Sequence, residues 1–206
     1  GSNTAVGFEA SQSNTTGSPN VAVGYLALHV NKTGSDNVAV GAYALENNIV
    51  GSNTAVGFEA SQSNTTGSPN VAVGYLALHE NATGSDNVAV GAHALQNDTV
   101  GKNTAVGFKA SQSNTNGENN VAVGHLALHE NATGSDNVAV GVHALQNNTV
   151  GKNVAIGHEA YQSSFNGSNT IAIGYQALKD TIVITDCIGI GSNTGGTATT
   201  ATESIF

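Results

Sequence analysis

Histidine is the first residue type to weigh for chemistry. His29, His79 and His129 recur at intervals of 50 residues, and His93 and His143 recur at the same interval in a second row that begins with Tyr43. A zinc site needs three or four ligands converging on one point. If the chain coils as argued below, successive members of either row lie three coils apart, roughly 14 Å, too far to share an ion. A ring of three histidines contributed by three chains about an axis is the arrangement that could hold one. Stacked or solvent-facing imidazoles are the competing reading. His125 and His158 directly follow a glycine where other coils carry Phe or Tyr, and read as packing variants of an aromatic.

The remaining reactive groups do not converge. Asp36, Asp86 and Asp136 sit in Gly-Ser-Asp-Asn segments and read as corner formers; calcium needs several oxygens meeting at one point. Glu9, Glu59 and Glu159 form one widely spaced row, which does not make the paired carboxylates of glycoside cleavage. No Gly-x-Ser-x-Gly elbow and no phosphate-cradling glycine loop with its lysine occurs. Cys187, the single cysteine, reads as a buried thiol, with a bond between neighbouring chains as the alternative. Eight Asn-x-Ser/Thr sequons (Asn14, Asn31, Asn64, Asn81, Asn97, Asn131, Asn147 and Asn166) read as turn chemistry in a chain rich in Asn and Thr. No catalytic site, cofactor site or metal site is expected.

What positions these rows is a repeat. Asn20-Val-Ala-Val-Gly24 recurs with small edits, ending on Gly7, Gly24, Gly41, Gly57, Gly74, Gly91, Gly107, Gly124, Gly141, Gly157, Gly174 and Gly191. The steps run 17, 17, 16 and repeat, so three units make a 50-residue super-repeat. A fixed short period is the mark of a solenoid. The chain reads as one array over 1–206, with super-repeats 1–50, 51–100, 101–150 and a degenerate 151–206.

Within a unit, Val21 and Val23 alternate with Ala22 and Gly24, a period of two that predicts a strand. Valine is expected in the interior and alanine at close contacts. Tyr25-Leu-Ala-Leu28 predicts a second short strand. Turn chemistry fills the rest: a second glycine follows ten residues after the first, with Asn or Asp three residues before it in nine of ten units. Asn and Gly tolerate left-handed backbone, and Asn closes a turn with its own side chain. Two strands and two corners describe one coil of a β-solenoid, with like residues stacked about 4.8 Å apart. Asn20, Asn37, Asn53, Asn70, Asn87, Asn103, Asn120 and Asn137 then line up as a hydrogen-bonded ladder, and Gly24, Gly41, Gly57, Gly74, Gly91, Gly107, Gly124 and Gly141 turn the corners. About twelve coils of 16–17 residues would span on the order of 55–60 Å.

Composition narrows the class of partner. Charged residues make up 9%, Lys and Arg number five against fourteen Asp and Glu, and the net charge is −9. That disfavours nucleic acid and anionic lipid, both of which call for clustered cations. No run approaches the roughly 18 apolar residues of a membrane helix. An apolar share of 39% carried largely by Ala and Val fills a thin regular interior rather than a broad core.

Tandem Asn-x-Ala-Val/Ile-Gly units resemble the head repeats of trimeric autotransporter adhesins, a left-handed parallel β-roll. They are also similar to Ala-Val/Ile-Gly arrays in fibre proteins of phages and large viruses, which Gly191-Ser-Asn-Thr-Gly-Gly-Thr-Ala-Thr-Thr-Ala-Thr-Glu-Ser-Ile-Phe206 resembles more closely. The coil here is longer than the usual adhesin unit, and no stalk or anchor accompanies it. The resemblance implies an all-β homotrimer in which thin rolls bury Ala and Val faces against one another. It also implies an extracellular, cell-surface or virion-surface location, and a structural or adhesive role toward a glycan or protein receptor. Both ends break into the pattern, with Ser204-Ile205-Phe206 where a thirteenth unit would start, so a segment of a longer fibre is expected. An ice-binding or carbohydrate-binding solenoid is the alternative, although Thr4, Thr54 and Thr104 recur only once in three coils. A carbohydrate-active enzyme is the weakest reading.

Overall fold

The computed structural model describes residues 2–163, 165–181, 183–195, 200–202 and 205. They fall into two compact units, Gly1–Asn103 and Thr104–Phe206. The reading of 203–206 as the start of a further unit lies, apart from Ile205, outside the described residues, as does most of the Gly- and Thr-rich corner at 196–199. Among the described residues there is no helix, and therefore none long and apolar enough to cross a membrane.

Each unit is a parallel β-solenoid. In the first, β1 (Asn3–Val6), β2 (Asn20–Val23), β3 (Asn37–Val40), β4 (Asn53–Val56), β5 (Asn70–Val73) and β6 (Asn87–Val90) pair in chain order. In the second, the order is β7 (Thr104–Val106), β8 (Val121–Val123), β9 (Val138–Val140), β10 (Val154–Ile156), β11 (Ile171–Ile173) and β13 (Ile188–Ile190). A separate pair joins β12 (Val183–Thr185) to β14 (Thr200–Thr202). Register places like on like: Asn20 opposite Asn37, Ala22 opposite Ala39, Val23 opposite Val40. The twelve motif strands bound about eleven turns of chain.

The strand alternates as its period predicts, with the opposite face inward. Ala22, Ala39, Ala55 and Ala72 are fully buried, whereas Val21 and Val71 are exposed and Val23 half-exposed. The expectation of interior valine is therefore corrected. A 16–17-residue coil is narrow, and its buried leucine lies against the alanine position. Where Gly189 takes the alanine position, an added Cβ would come within 2.6 Å of Leu178 Cγ. A branched side chain does not fit there, so it turns outward.

Tyr25-Leu-Ala-Leu28 is not a strand, which corrects the second expectation. Leu26 and Leu28 have φ of 54° and 52°, as do their counterparts in other coils, so the segment turns continuously from Gly24. Left-handed backbone costs a non-glycine residue about 1 kcal/mol. Here it is offset because the amides still bond from coil to coil: Leu26 N donates to Phe8 O at 3.0 Å and Leu28 N to Ala44 O at 2.9 Å. Leu28, Leu45, Leu78 and Leu95 are fully buried and provide most of the apolar interior.

Of the two glycines in each coil, only the motif glycine uses left-handed freedom. Gly74 has φ +143°, and a Cβ on it would lie 2.5 Å from Gly91 O. The second glycine, such as Gly34, is not in that region; it is required because a Cβ would strike the Val50 carbonyl. The expectation of left-handed backbone at the Asn–Gly corner is thus corrected to one of space.

Candidate functional site

The Asn20 row is internal and hydrogen-bonded along its length. Asn20 Oδ1 accepts from Asn37 N at 3.0 Å, Asn37 from Asn53 N at 3.0 Å, Asn53 from Asn70 N at 2.8 Å, and Asn70 from Asn87 N at 3.0 Å. Asn87 Oδ1 accepts from Asn103 N at 2.9 Å, and in the second unit Asn120 Oδ1 accepts from Asn137 N at 3.0 Å. Each rung also reaches sideways: Asn20 Nδ2 donates to Gly34 O and Asn37 Nδ2 to Val50 O, both at 2.8 Å. The rungs therefore run from amide side chain to main chain.

A second internal row emerges where the sequence showed only turn residues. Asn31, Asn48, Asn64, Asn81, Asn114, Asn131 and Asn148 are fully buried, and Asp98 occupies the same row. Asn31 Oδ1 accepts from Gly34 N at 3.0 Å while its Nδ2 donates to Gly34 O at 2.9 Å. Asn64 Nδ2 adds a bond to Asn48 Oδ1 at 2.7 Å. Both Asn rows are thus spent on holding backbone in place. So are the corner glycines Gly24, Gly41, Gly57, Gly74, Gly91, Gly107, Gly124 and Gly141, all at φ between 134° and 143°.

The surface is where side chains are available, and two rows that the spacing separated meet there. In the first unit Phe8, Tyr25, Tyr43, Phe58, Tyr75 and His93 form one continuous column, one ring per coil. Centroids lie 5.3–6.0 Å apart: Phe8–Tyr25 and Phe58–Tyr75 are stacked, and the other three contacts are edge-on. In the second unit Phe108, His125, His143, His158 and Tyr175 form the equivalent column, with neighbours 5.4–6.4 Å apart. The sequence obscured this because the ring stands one residue after the motif glycine in two coils and two residues after it in the third. One aromatic or His per coil was the signal available.

A polar column runs beside the rings. Gln62 Nε2 donates to Glu46 Oε2 at 2.6 Å, and His79 Nε2 lies 2.9 Å from Gln62 Oε1. His29 packs against Glu9, with Nδ1 3.3 Å from the Glu9 carbonyl and 3.9 Å from its carboxylate. His79 also pairs with Glu80 at 3.0 Å and with Glu59 at 3.4 Å. In the second unit His129 lies 3.0 Å from Gln112 Oε1 and 2.7 Å from Glu130 Oε1. The columns touch where His93 Nδ1 meets Gln96 Oε1 at 2.9 Å and His143 Nδ1 meets Gln146 Oε1 at 2.7 Å.

In the same arrangement Lys179 Nζ lies 2.6 Å from Glu159 Oε2. The bonds from Lys179 and Gln176 hold the Glu159 carboxyl below its ordinary range, and the bond to Glu159 holds the Lys179 ammonium above its own.

Among the described residues no three His, Cys, Asp or Glu are grouped to hold a metal ion. A surface groove of about 480 Å³ runs over the corners of the second unit, lined by Ser135, Asp136, Thr149, Lys152 and Ser168 among others. It contains one carboxylate, Asp136, not the pair that glycoside cleavage uses. Cys187 is buried, its Sγ 3.3 Å from Thr185 O. No protein-family model, curated protein or solved structure matches the chain.

Proposed function

We propose that the chain is a structural and adhesive segment of a fibre: a stiff, non-catalytic rod exposed outside a cell or on a virion, which carries or displays a receptor-binding surface. The observation that supports this reading most is the division of labour in each coil. Asparagine side chains are consumed inside by backbone bonds, while apolar Val, Ile and aromatic residues are turned outward. An enzyme of this size would be expected to concentrate its polar groups in a cleft.

The outward valines favour self-association. Val21, Val71 and Val106 are 36–37% exposed and Ile156 40%, on a regular parallel sheet face that a second copy would cover. On this reading the fibre is a homotrimer packed through that face. Light scattering of the protein in solution tests it, with a mass near three times 20.5 kDa expected. Replacing Val38, Val71 and Val88 together by Lys is expected to dissociate the assembly while leaving the circular dichroism of the coils unchanged. A wild-type monomer at all concentrations would overturn the self-association, and a compact particle rather than a rod by electron microscopy would overturn the fibre.

A further inference from the structure

We propose that the aromatic column of the first unit is a stacking platform for a linear, uncharged polysaccharide. The proposal stands on the column itself and does not require the fibre reading. Phe8, Tyr25, Phe58 and Tyr75 are 62%, 45%, 42% and 50% exposed, on successive or near-successive coils. Large rings that only filled space would be expected to be buried. These rings instead form two near-parallel pairs, Phe8–Tyr25 at 5.4 Å and Phe58–Tyr75 at 5.6 Å, with Tyr43 edge-on between them, and the step within each pair is about the length of one pyranose residue.

The flanking column completes the match. A pyranose ring has an apolar face of C–H groups and a rim of hydroxyls. The first suits an aromatic surface; the second suits Glu46, Gln62 and His79, oriented by bonds to one another, and Gln96, held by His93, which together supply acceptors and donors. Groups fixed in place before binding lose little freedom on capture. Charge selects the class of polymer. Glu9, Glu46, Glu59 and Glu80 lie on this side, close to His29, Gln62 and His79, which disfavours uronic-acid polymers and nucleic acids. Repetition adds avidity, because each captured sugar raises the effective concentration of the next. The second unit carries three imidazoles at equivalent places and is the poorer platform.

The test is electrophoresis of the full chain through native gels containing hydroxyethyl cellulose, galactomannan or xylan, with polygalacturonate as the anionic comparison. With no Trp present, tyrosine emission provides a second readout. Retardation by at least one neutral polymer and none by polygalacturonate is expected. Phe58→Ala and Tyr75→Ala should each weaken retention roughly three- to tenfold, and together multiplicatively. Tyr75→Phe should retain it, and His143→Ala should change it less than twofold. Absence of retardation by every neutral polymer, or retardation indifferent to removal of the rings, would overturn the proposal. So would ring variants that alter only the solution mass, since the column would then be a contact between copies.

Discussion

Asn70 offers the sharpest test of how the coil is held together. Its side chain is 2% exposed; Oδ1 accepts from Asn87 N at 3.0 Å and Nδ2 donates to Gly84 O at 2.8 Å. In Asn70→Ala the two losses are unequal. Gly84 O keeps the bond from Asn81 Nδ2 at 2.9 Å, so about 1 kcal/mol is forfeited there. Asn87 N has no replacement acceptor and is left buried and unpaired, costing about 1–3 kcal/mol more. A total of about 3 kcal/mol is expected, against about 2 kcal/mol for Asn70→Thr. The precedent for threonine is Thr170, whose Oγ1 reaches Ile184 O at 3.3 Å and so keeps the sideways bond. Denaturation followed by circular dichroism measures the midpoint shift, and native-state hydrogen exchange locates it, with the Asn87 amide losing protection before those of β2. A cost below about 0.5 kcal/mol with Asn87 still protected would refute the claim that the ladder carries the fold.

Four further outcomes follow from the same geometry. Gly74→Ala combines a φ of +143° with a Cβ 2.5 Å from Gly91 O, and should abolish soluble folding or cost more than about 3 kcal/mol, read as soluble yield and unfolding midpoint. Asp98 is fully buried in a row of amides, and its Oδ1 accepts from Asn103 Nδ2 at 3.1 Å; Asp98→Ala removes that acceptor and should cost about 1–2 kcal/mol in the same denaturation assay. The Glu159–Lys179 pair should contribute a small stability that is fully present above about pH 4.5, is lost on acidification through the depressed carboxyl, and is lost again above about pH 10.5 through the raised ammonium; melting between pH 7 and pH 3 should show that slope vanish in Lys179→Gln. Asn31, Asn64, Asn81 and Asn131 are sequons whose side chains are fully buried, so glycan transfer to the nascent chain should prevent folding; expression in a glycosylating secretory system should yield misfolded protein, rescued by replacing the hydroxyl residue two positions on by Ala.

The period, the parallel register and the strand were legible because Asn-x-Ala-Val-Gly repeats with few edits, and a period of two can only be a strand. Which face of the strand points inward was not. Val21 and Ala22 alternate equally well either way, and hydrophobicity favours burying valine; only the closed coil, with a leucine packed against the inward position, reveals that a branched side chain does not fit. The turning segment was misread for a different reason. Leu26 and Leu28 adopt left-handed backbone that leucine seldom takes, and the coil-to-coil bonds that offset its cost depend on neighbours 16–18 residues away. The aromatic column was hidden by a one-residue shift, Tyr25 following its glycine directly and Tyr43 lying one residue further on, which the corner absorbs so that both rings fall on one line.

An interior built from amides has consequences that an apolar one would not. Slipping a strand by one residue would turn the buried Asn20 row to solvent and drive Val21 inward. The slip would cost the corner carbonyls of Gly34 and Val50 one of their two donors and force branched side chains into a space sized for alanine. Register is therefore fixed twice, by hydrogen bonding and by volume, and neither constraint reads the outer surface. Variation between coils follows that division. The buried alanine row is uniform from Ala22 to Ala172, while the outward positions exchange Thr for Val, Phe for Tyr or His, and Glu for Lys. A scaffold whose identity is secured from within leaves its outer columns free to be rewritten, coil by coil, for whatever they bind.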